Sequence, residues 1–288
     1  MNKSYVICTP PYDVNSGGRI VLHYLCHLLN QIGETAYVYY SHGQWKRRPK
    51  KWKKSLRYNN FNNKLFHGNF TNEVVVYSCK VPGNMYDANY SVRYLLSKPR
   101  QGHHGDNYGK NDLIVGYREA FTTKEFPITD ENCISIEYTM DDVYYQTNFG
   151  ERTKTCYMIR KANKRYWPQK QLDGHAKDSI CIDQKSHQEI AKIFNECDKF
   201  ICYDTDTYFS EFAVRCGCTS IVIPNEGVSK KEWRPNVKQT YGIAYGLNDI
   251  EYAEQTKYKF LEYQKEIEQN NIDAVKKFVK LCENHFIY

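Results

Sequence analysis

Residues 199–233 read KFICYDTDTYFSEFAVRCGCTSIVIPNEGVSKKEW, and this stretch predicts a strand, a helix, a second strand and a loop. The short apolar runs at 200–203 and 219–223 suit buried parallel strands. Between them, apolar residues recur at helical spacing up to Gly217, the residue type that most often ends a helix. Since β-α-β units bind ligands at the carboxyl edge of their sheet, we expect a ligand site where this helix begins.

Within this stretch, residues 210–224 (SEFAVRCGCTSIVIP) resemble the signature of nucleotide-sugar glycosyltransferases with the two-domain GT-B fold. In that superfamily a glutamate opens a pattern of small residues, a glycine, an apolar strand and a proline, and it binds the ribose hydroxyls of the donor. Glu211 matches that glutamate. The family often has a second acidic residue about two turns earlier, against the donor sugar. Here Tyr203 stands at that spacing and Asp204 one residue closer.

Further donor contacts are expected around the same helix. Thr207 and Tyr208, at its start, are candidates for contacts with the phosphates or the sugar. Gly227 and Lys230, in the loop after the second strand, would face the same cleft. Asp204, Thr205 and Asp206 are also residue types that cap helices.

Basic residues are also expected at the end of another strand. Residues 153–162, TKTCYMIRKA, favour this strand. At its end stand Arg160 and Lys161, with Lys164 just beyond. In GT-B enzymes the corresponding strand end supplies an arginine and a lysine that neutralise the donor diphosphate. Fixed cations can stabilise a departing nucleoside diphosphate without a metal ion. The alternative is an ordinary basic loop after a strand.

The first 40 residues predict another β-α-β unit, with Gly17 and Gly18 at the start of its helix. Glycines there would let a ligand approach the backbone N–H groups, although a tight turn without ligand explains them equally well. The run Ser-Gly-Gly followed by an amphipathic helix resembles the start of GT-B N-terminal domains, where the glycine loop lies by the interdomain cleft.

Residues 88–97 have apolar spacing that predicts a helix, and 133–137 predict a strand. Between them, residues 101–109 read QGHHGDNYG, a polar stretch. The order of elements resembles a subgroup of GT-B enzymes that build surface polysaccharides. His103, His104 and Asp106 are candidates for a general base on an acceptor hydroxyl. A metal site and a loop without chemistry are the alternatives.

The alternation of strands and helices predicts the α/β class, and the resemblance implies GT-B: two Rossmann-like β/α/β domains facing a cleft. We expect domain 1–150 on the acceptor side and domain 151–288 on the nucleotide-sugar side. Helices are predicted at 247–255, 258–267 and 272–286, and the resemblance implies that the last of them crosses back to the first domain. The implied function is metal-independent transfer of a sugar from a UDP-, GDP- or dTDP-sugar to a glycan, glycolipid or glycoprotein acceptor, with no further cofactor.

Composition bounds these expectations. The net charge of +7 favours anionic partners, and 288 residues can form two domains with cores of their own. The eleven cysteines lie mostly in or beside apolar runs, which suits buried free thiols and a reducing cytoplasm. The start of the chain does not resemble a signal peptide, and no stretch approaches the roughly 20 apolar residues of a membrane span.

The sequence leaves rival functions open. Asp204 and Asp206 form an aspartate-any-aspartate motif, which holds a divalent cation in the GT-A glycosyltransferase fold. The segment 45–57 begins at Trp45, ends at Arg57 and contains eight Lys or Arg without an acidic residue. That composition suits peripheral contact with an anionic membrane, binding of an acidic glycan, or a binding module for nucleic acid. A solvated loop without a partner is the other interpretation. We expect no nucleic-acid partner. A nucleotide-sugar epimerase of GT-B shape is a further alternative.

Overall fold

A computed structural model describes residues 3–40, 61, 63–98, 108–162 and 172–286 of the chain. The chain divides into two compact units. One comprises Met1–Tyr138 with Ile267–Tyr288, and the other Thr139–Glu266. Each unit contains its own five-stranded sheet in which the pairings are parallel. The α/β class expected from the sequence is therefore confirmed.

The first unit is built on a sheet with the order β2-β1-β3-β4-β5. Its strands are β1 (Tyr5–Thr9), β2 (Ala36–Tyr40), β3 (Val74–Ser78), β4 (Tyr90–Leu95) and β5 (Leu113–Gly116). Helix α1 (Gly17–Gln31) follows β1 and packs Leu25 and Leu29 into the core. Four of the five residues of β3 are buried, as expected for a central parallel strand covered on both faces.

The second unit repeats that strand order. Its sheet runs β7-β6-β8-β9-β10. The strands are β6 (Lys154–Met158), β7 (Ile180–Cys181), β8 (Cys197–Cys202), β9 (Thr219–Val222) and β10 (Ile243–Tyr245). Its helices are α2 (His187–Glu196), α3 (Phe209–Arg215) and α4 (Lys230–Trp233). In both units the first strand lies between the second and the third, the order of a doubly wound sheet. The strand–helix–strand expected over residues 199–233 is present as β8, α3 and β9.

Two sequence-based assignments in the first unit were wrong. Residues 88–97 do not form a helix: they contain β4, which pairs with both β3 and β5. Residues 133–137 do not form a strand beyond one bridge between Cys133 and Gly116. There the side chain of Asn271 satisfies the backbone instead, accepting from Glu137 N at 2.8 Å and donating to Glu137 O at 2.9 Å.

The three helices expected after residue 247 are one helix, α5 (Ile250–Phe286), with 37 residues. No glycine or proline interrupts it, so its polar stretches do not break it. Its last part belongs to the first unit, where Phe278 lies 5.9 Å from Tyr5, ring centre to ring centre.

The units divide at residues 138/139, earlier than the boundary expected near Gly150. The reason lies in the contacts of residues 139–150. Tyr144 stacks on Phe212 at 4.0 Å, and Asn195 Oδ1 accepts from Thr147 N at 2.6 Å. These contacts hold the segment to the second unit.

All eleven cysteines are free thiols, as expected: nine are buried, and Cys133 and Cys181 are partly exposed. Among the described helices, none combines the length and the apolar character that a bilayer crossing requires.

Candidate functional site

The candidate site lies in the second unit at the carboxyl ends of β6 and β8. These strands are neighbours in the sheet, and the chain winds outward from them in opposite directions. Such a switch point leaves a crevice at the carboxyl edge where open α/β sheets bind ligands. Arg160 lies just beyond β6, and residues 204–207 follow β8. The topology therefore brings together two segments predicted separately from the sequence.

Arg160 reaches across this edge of the sheet. Its Nη1 donates to Thr207 Oγ1 at 3.4 Å, and its guanidinium carbon lies 5.3 Å from the centre of the Phe209 ring. Its backbone has a φ of 38°, in the left-handed region that residues with a Cβ seldom adopt. The Oδ2 atom of Asp183 accepts from Ile159 N at 3.2 Å and from Arg160 N at 3.1 Å.

Asp204 is the first acidic group beyond β8, and it is 4% exposed. Its Oδ1 accepts from Asp206 N at 3.1 Å, whereas its Oδ2 has no hydrogen-bond partner among the described residues. Buried oxygens without a hydrogen-bond partner are uncommon in folded proteins, which makes Oδ2 of Asp204 a candidate contact for a ligand hydroxyl.

The expected capping of α3 by residues 204–206 does not occur. The helix begins at Phe209 after Tyr208, without a side-chain capping hydrogen bond, and Thr207 Oγ1 accepts from Phe209 N at 3.4 Å as well as from Arg160. Asp206 is exposed while Asp204 is buried. The described residues contain no group of three side chains that could hold a metal ion.

Glu211 lies in the first turn of α3, 5% exposed. Its Oε1 atom is 2.8 Å from Nη1 of Arg234, whose side chain is fully buried. The Arg234 guanidinium also lies 4.3 Å from the Trp233 ring. The carboxylate that the resemblance assigns to the donor ribose is thus held by an internal ion pair.

The loop after β9 contains the other expected donor contacts. Gly227 has a φ of 73°, and a Cβ there would meet nothing within 4 Å. Lys230 Nζ lies 2.6 Å from Asp249 Oδ2 and 3.3 Å from the centre of the Tyr252 ring. These contacts attach α4 to the start of α5.

Two hydrogen bonds connect this loop and the following α4 to the loop after β8. Asn225 Nδ2 donates to Thr205 Oγ1 at 3.1 Å, and Trp233 Nε1 donates to Thr205 O at 2.9 Å. Aromatic groups cover the neighbouring strand ends: His175 stacks on Tyr157 at 3.7 Å and shares a 2.8 Å hydrogen bond with the Tyr203 hydroxyl. The edge of the sheet is therefore structured by polar and aromatic contacts.

Gly17 and Gly18 belong to the first unit, where they open α1. The preceding Ser16 makes no side-chain capping bond. A Cβ on Gly17 would meet no atom within 4 Å, and one on Gly18 would touch Leu96 at 3.6 Å. The space above this helix start is open within the described part of the unit.

Several predicted site residues lie outside what the structure describes. They are His103, His104, Asp106, Lys164 and the segment 45–57. Lys161 is placed only by its backbone, in a short 3-10 helix spanning Arg160–Ala162. Their roles stay predictions.

Asp183 and Arg234 are site residues that sequence reasoning missed. Asp183 had a usable signal, since it follows the apolar run 180–182 as Asp204 follows the run 200–203. Arg234 had none, because its pairing with Glu211 is a tertiary contact.

No known family profile matches this chain, and no curated protein matches it. Among solved structures it is similar to a sucrose-phosphate synthase from Thermosynechococcus elongatus, with 9% sequence identity and a TM-score of 0.41. The similarity covers 98% of this chain and 97% of that chain. A likeness of this degree does not establish a shared activity.

Proposed function

We propose that this chain is a glycosyltransferase that moves a sugar from a UDP-, GDP- or dTDP-sugar to a glycan, glycolipid or glycoprotein acceptor, and that its two units form a GT-B fold. The observation that carries the proposal is the switch point of the second unit. There Arg160 contacts the Thr207 hydroxyl at the edge where doubly wound sheets bind nucleotides, and the buried carboxylate of Asp204 follows the end of β8 at the same edge.

The chemistry of Arg160 suits a diphosphate. A guanidinium carries a permanent charge and offers its N–H groups in a planar fork that matches phosphate oxygens. As the sugar departs, negative charge grows on the nucleoside diphosphate, and a fixed cation stabilises it more in the transition state than in the ground state. In this proposal Lys161 and Lys164 add charge beside Arg160, so that no bound metal is required. Thr207 and Tyr208 complete the phosphate and sugar contacts.

The two carboxylates have separate proposed roles. Glu211 accepts from the ribose hydroxyls, its position fixed by the 2.8 Å pair with Arg234. Asp204 accepts from a hydroxyl of the donor sugar through Oδ2, which has no partner among the described residues. A site built around a substrate hydroxyl rejects analogues that lack it, because the buried oxygen would otherwise stay unsatisfied. Gly227 and Lys230 close the donor site.

The first unit is proposed to serve the acceptor. Gly17 and Gly18 leave the start of α1 open to a ligand. His103, His104 and Asp106 are the proposed candidates for a general base, should the reaction invert configuration. We place the protein in the cytoplasm, with peripheral membrane contact through residues 45–57, and expect no nucleic-acid partner.

Ligand-linked stabilisation tests the proposal. UDP-, GDP- and dTDP-sugars and the nucleoside diphosphates UDP, GDP and dTDP are screened by thermal shift, with a metal chelator present to test binding without a metal ion. At a hundredfold excess over Kd, the cognate donor is expected to stabilise the protein by about 2.7 kcal/mol. Transfer is then assayed with the donor identified.

The contribution of Arg160 is tested in the same screen. Arg160→Ala is expected to weaken binding of the diphosphate while binding of the parent nucleoside is retained. Lys154→Ala is the matched control, since Lys154 begins the same strand at its opposite end and pairs with Glu196 at 2.9 Å. The proposed function would be contradicted if none of the nucleotides stabilised the protein, or if Arg160→Ala and Lys154→Ala bound the diphosphate with equal affinity.

A further inference from the structure

Asp183 is an acidic residue just beyond β7 whose side chain serves the loop after the neighbouring strand β6. β7 pairs with β6, and Ile182 N donates to Tyr157 O at 2.9 Å, which brings Asp183 beside the end of β6. From there its Oδ2 accepts from two successive backbone N–H groups, those of Ile159 and Arg160. One carboxylate oxygen thus fixes the turn that follows β6.

That turn contains a strained residue. Arg160 has a φ of 38°, and a residue with a Cβ keeps such a conformation only when its surroundings hold it. The two hydrogen bonds to Asp183 supply that restraint, together with the bond from Ala162 N to Ile159 O at 2.8 Å. Hydrogen bonds to an ionised acceptor are stronger than those between neutral groups, so a carboxylate is well suited to this task.

The restrained backbone determines where the guanidinium lies. With the turn held in this form, Arg160 Nη1 meets Thr207 Oγ1 and the guanidinium lies over Phe209, at the switch point. A turn that relaxed to an ordinary negative φ would redirect the side chain from its Cα onward. The effect of Asp183 on a ligand should therefore pass through Arg160.

We propose that Asp183 is a positioning residue, which holds the backbone of Arg160 so that its guanidinium meets the diphosphate of the donor nucleotide. This inference rests on the proposed function. It assigns Asp183 no direct contact with the donor.

A double-mutant cycle tests the inference. Dissociation constants are measured by calorimetry for the diphosphate among UDP, GDP and dTDP that stabilises the wild type, and for its parent nucleoside. The proteins are wild type, Asp183→Ala, Arg160→Ala and the double variant. Asp183→Asn, which keeps an oxygen acceptor in place, is measured alone and with Arg160→Ala. Circular dichroism confirms that each variant is folded.

Asp183→Ala is expected to raise the Kd of the diphosphate about tenfold, which corresponds to about 1.4 kcal/mol, and to leave the Kd of the nucleoside within about twofold. Asp183→Asn should have a smaller effect in the same direction. In the Arg160→Ala background neither substitution should weaken binding further, because the group being positioned is gone. If Asp183→Ala does not fold, the cycle with Asp183→Asn decides.

Three outcomes would overturn the inference. Unchanged diphosphate affinity in the Asp183 variants would overturn it while leaving the proposed function intact. Effects of Asp183 and Arg160 that add independently, or a loss of nucleoside binding equal to that of the diphosphate, would show that Asp183 acts on the fold or on another part of the ligand. Failure of the wild type to bind any of the three diphosphates would overturn the proposed function, and this inference with it.

Discussion

Replacing Glu211 by alanine should destabilise the protein even without a ligand. The Oε1 atom of Glu211 lies 2.8 Å from Nη1 of Arg234, and the side-chain exposures are 7% and 0%. Removing one partner of a buried ion pair strands the other charge away from water and costs about 3–5 kcal/mol. Arg234 would keep the hydrogen bond from Nη1 to Gln239 O and its contact with the Trp233 ring, but neither partner carries a negative charge. Its Nε and Nη2 have no hydrogen-bond partner among the described residues. A native protein is stable by only about 5–15 kcal/mol, so this loss should be prominent.

Urea unfolding followed by circular dichroism measures the effect. Glu226→Ala is the matched control, because Glu226 is exposed and its removal should change the free energy of unfolding by no more than about 0.5 kcal/mol. The double variant Glu211→Ala with Arg234→Met should regain much of the lost stability, since it removes the stranded charge. The reasoning fails if Glu211→Ala is no less stable than Glu226→Ala, or if the double variant is no more stable than the single one.

This ion pair also decides how the ribose role of Glu211 should be tested. A loss of nucleotide binding in Glu211→Ala would combine a lost ligand contact with a disturbed second unit. Glu211→Gln keeps an acceptor oxygen and nearly the same shape. Donor affinity measured on that variant, at a temperature where it is fully folded, therefore reports on the ligand contact more directly.

Three further predictions concern other parts of the molecule. Burial lowers the pKa of His23 to about 4, so His23 takes up a proton at lower pH in the folded state than in the unfolded state, and the free energy of unfolding should fall by about 1.4 kcal/mol per pH unit between about pH 6.5 and pH 4. Urea unfolding should show the stability advantage of wild type over His23→Gln shrinking over that interval, and an advantage that stays constant would contradict the assignment. Titration of native thiols with an aromatic disulfide at pH 8 should modify Cys181 first and Cys133 much more slowly, since burial raises the pKa of Cys133 to about 11. A fast phase that survives in Cys181→Ser would refute the assignment of that phase to Cys181. Gly217→Ala should lower the thermal unfolding temperature more than Gly33→Ala does, because both glycines have a φ above 90° but, of the two, only at Gly217 would the new Cβ meet side-chain atoms, at 2.7 Å. Equal losses of stability in the two variants would contradict the steric argument.

The local patterns of the sequence were reliable where one short segment contains all the information. Ser186 and Glu189 stand three residues apart, the spacing of a capping box, and the two residues do exchange hydrogen bonds at the start of α2. Gly217 ends the helical spacing after α3 with a φ of 91°, as its residue type indicated. Each of these features depends on residues a few positions apart.

The incorrect helix at residues 88–97 shows where this information ends. Its apolar residues fit both a helical face and a short buried strand, and periodicity cannot separate the two over so few positions. Pairing with β3 on one side and β5 on the other decided in favour of β4. The buried ion pair of Arg93 with Asp112, at 2.6 Å, is a further tertiary contact that gives this strand an interior cation.

By itself, the sequence determined the strand–helix–strand units of residues 1–40 and 199–233, the burial of most thiols, and the position of a cation at the end of β6. Only the tertiary structure decided that Asp183 accepts from the backbone of Arg160 and that Glu211 faces Arg234. The physical reason is that side-chain periodicity reports which residues turn inward, whereas the partner that each one meets depends on how strands distant in sequence are ordered in the sheet.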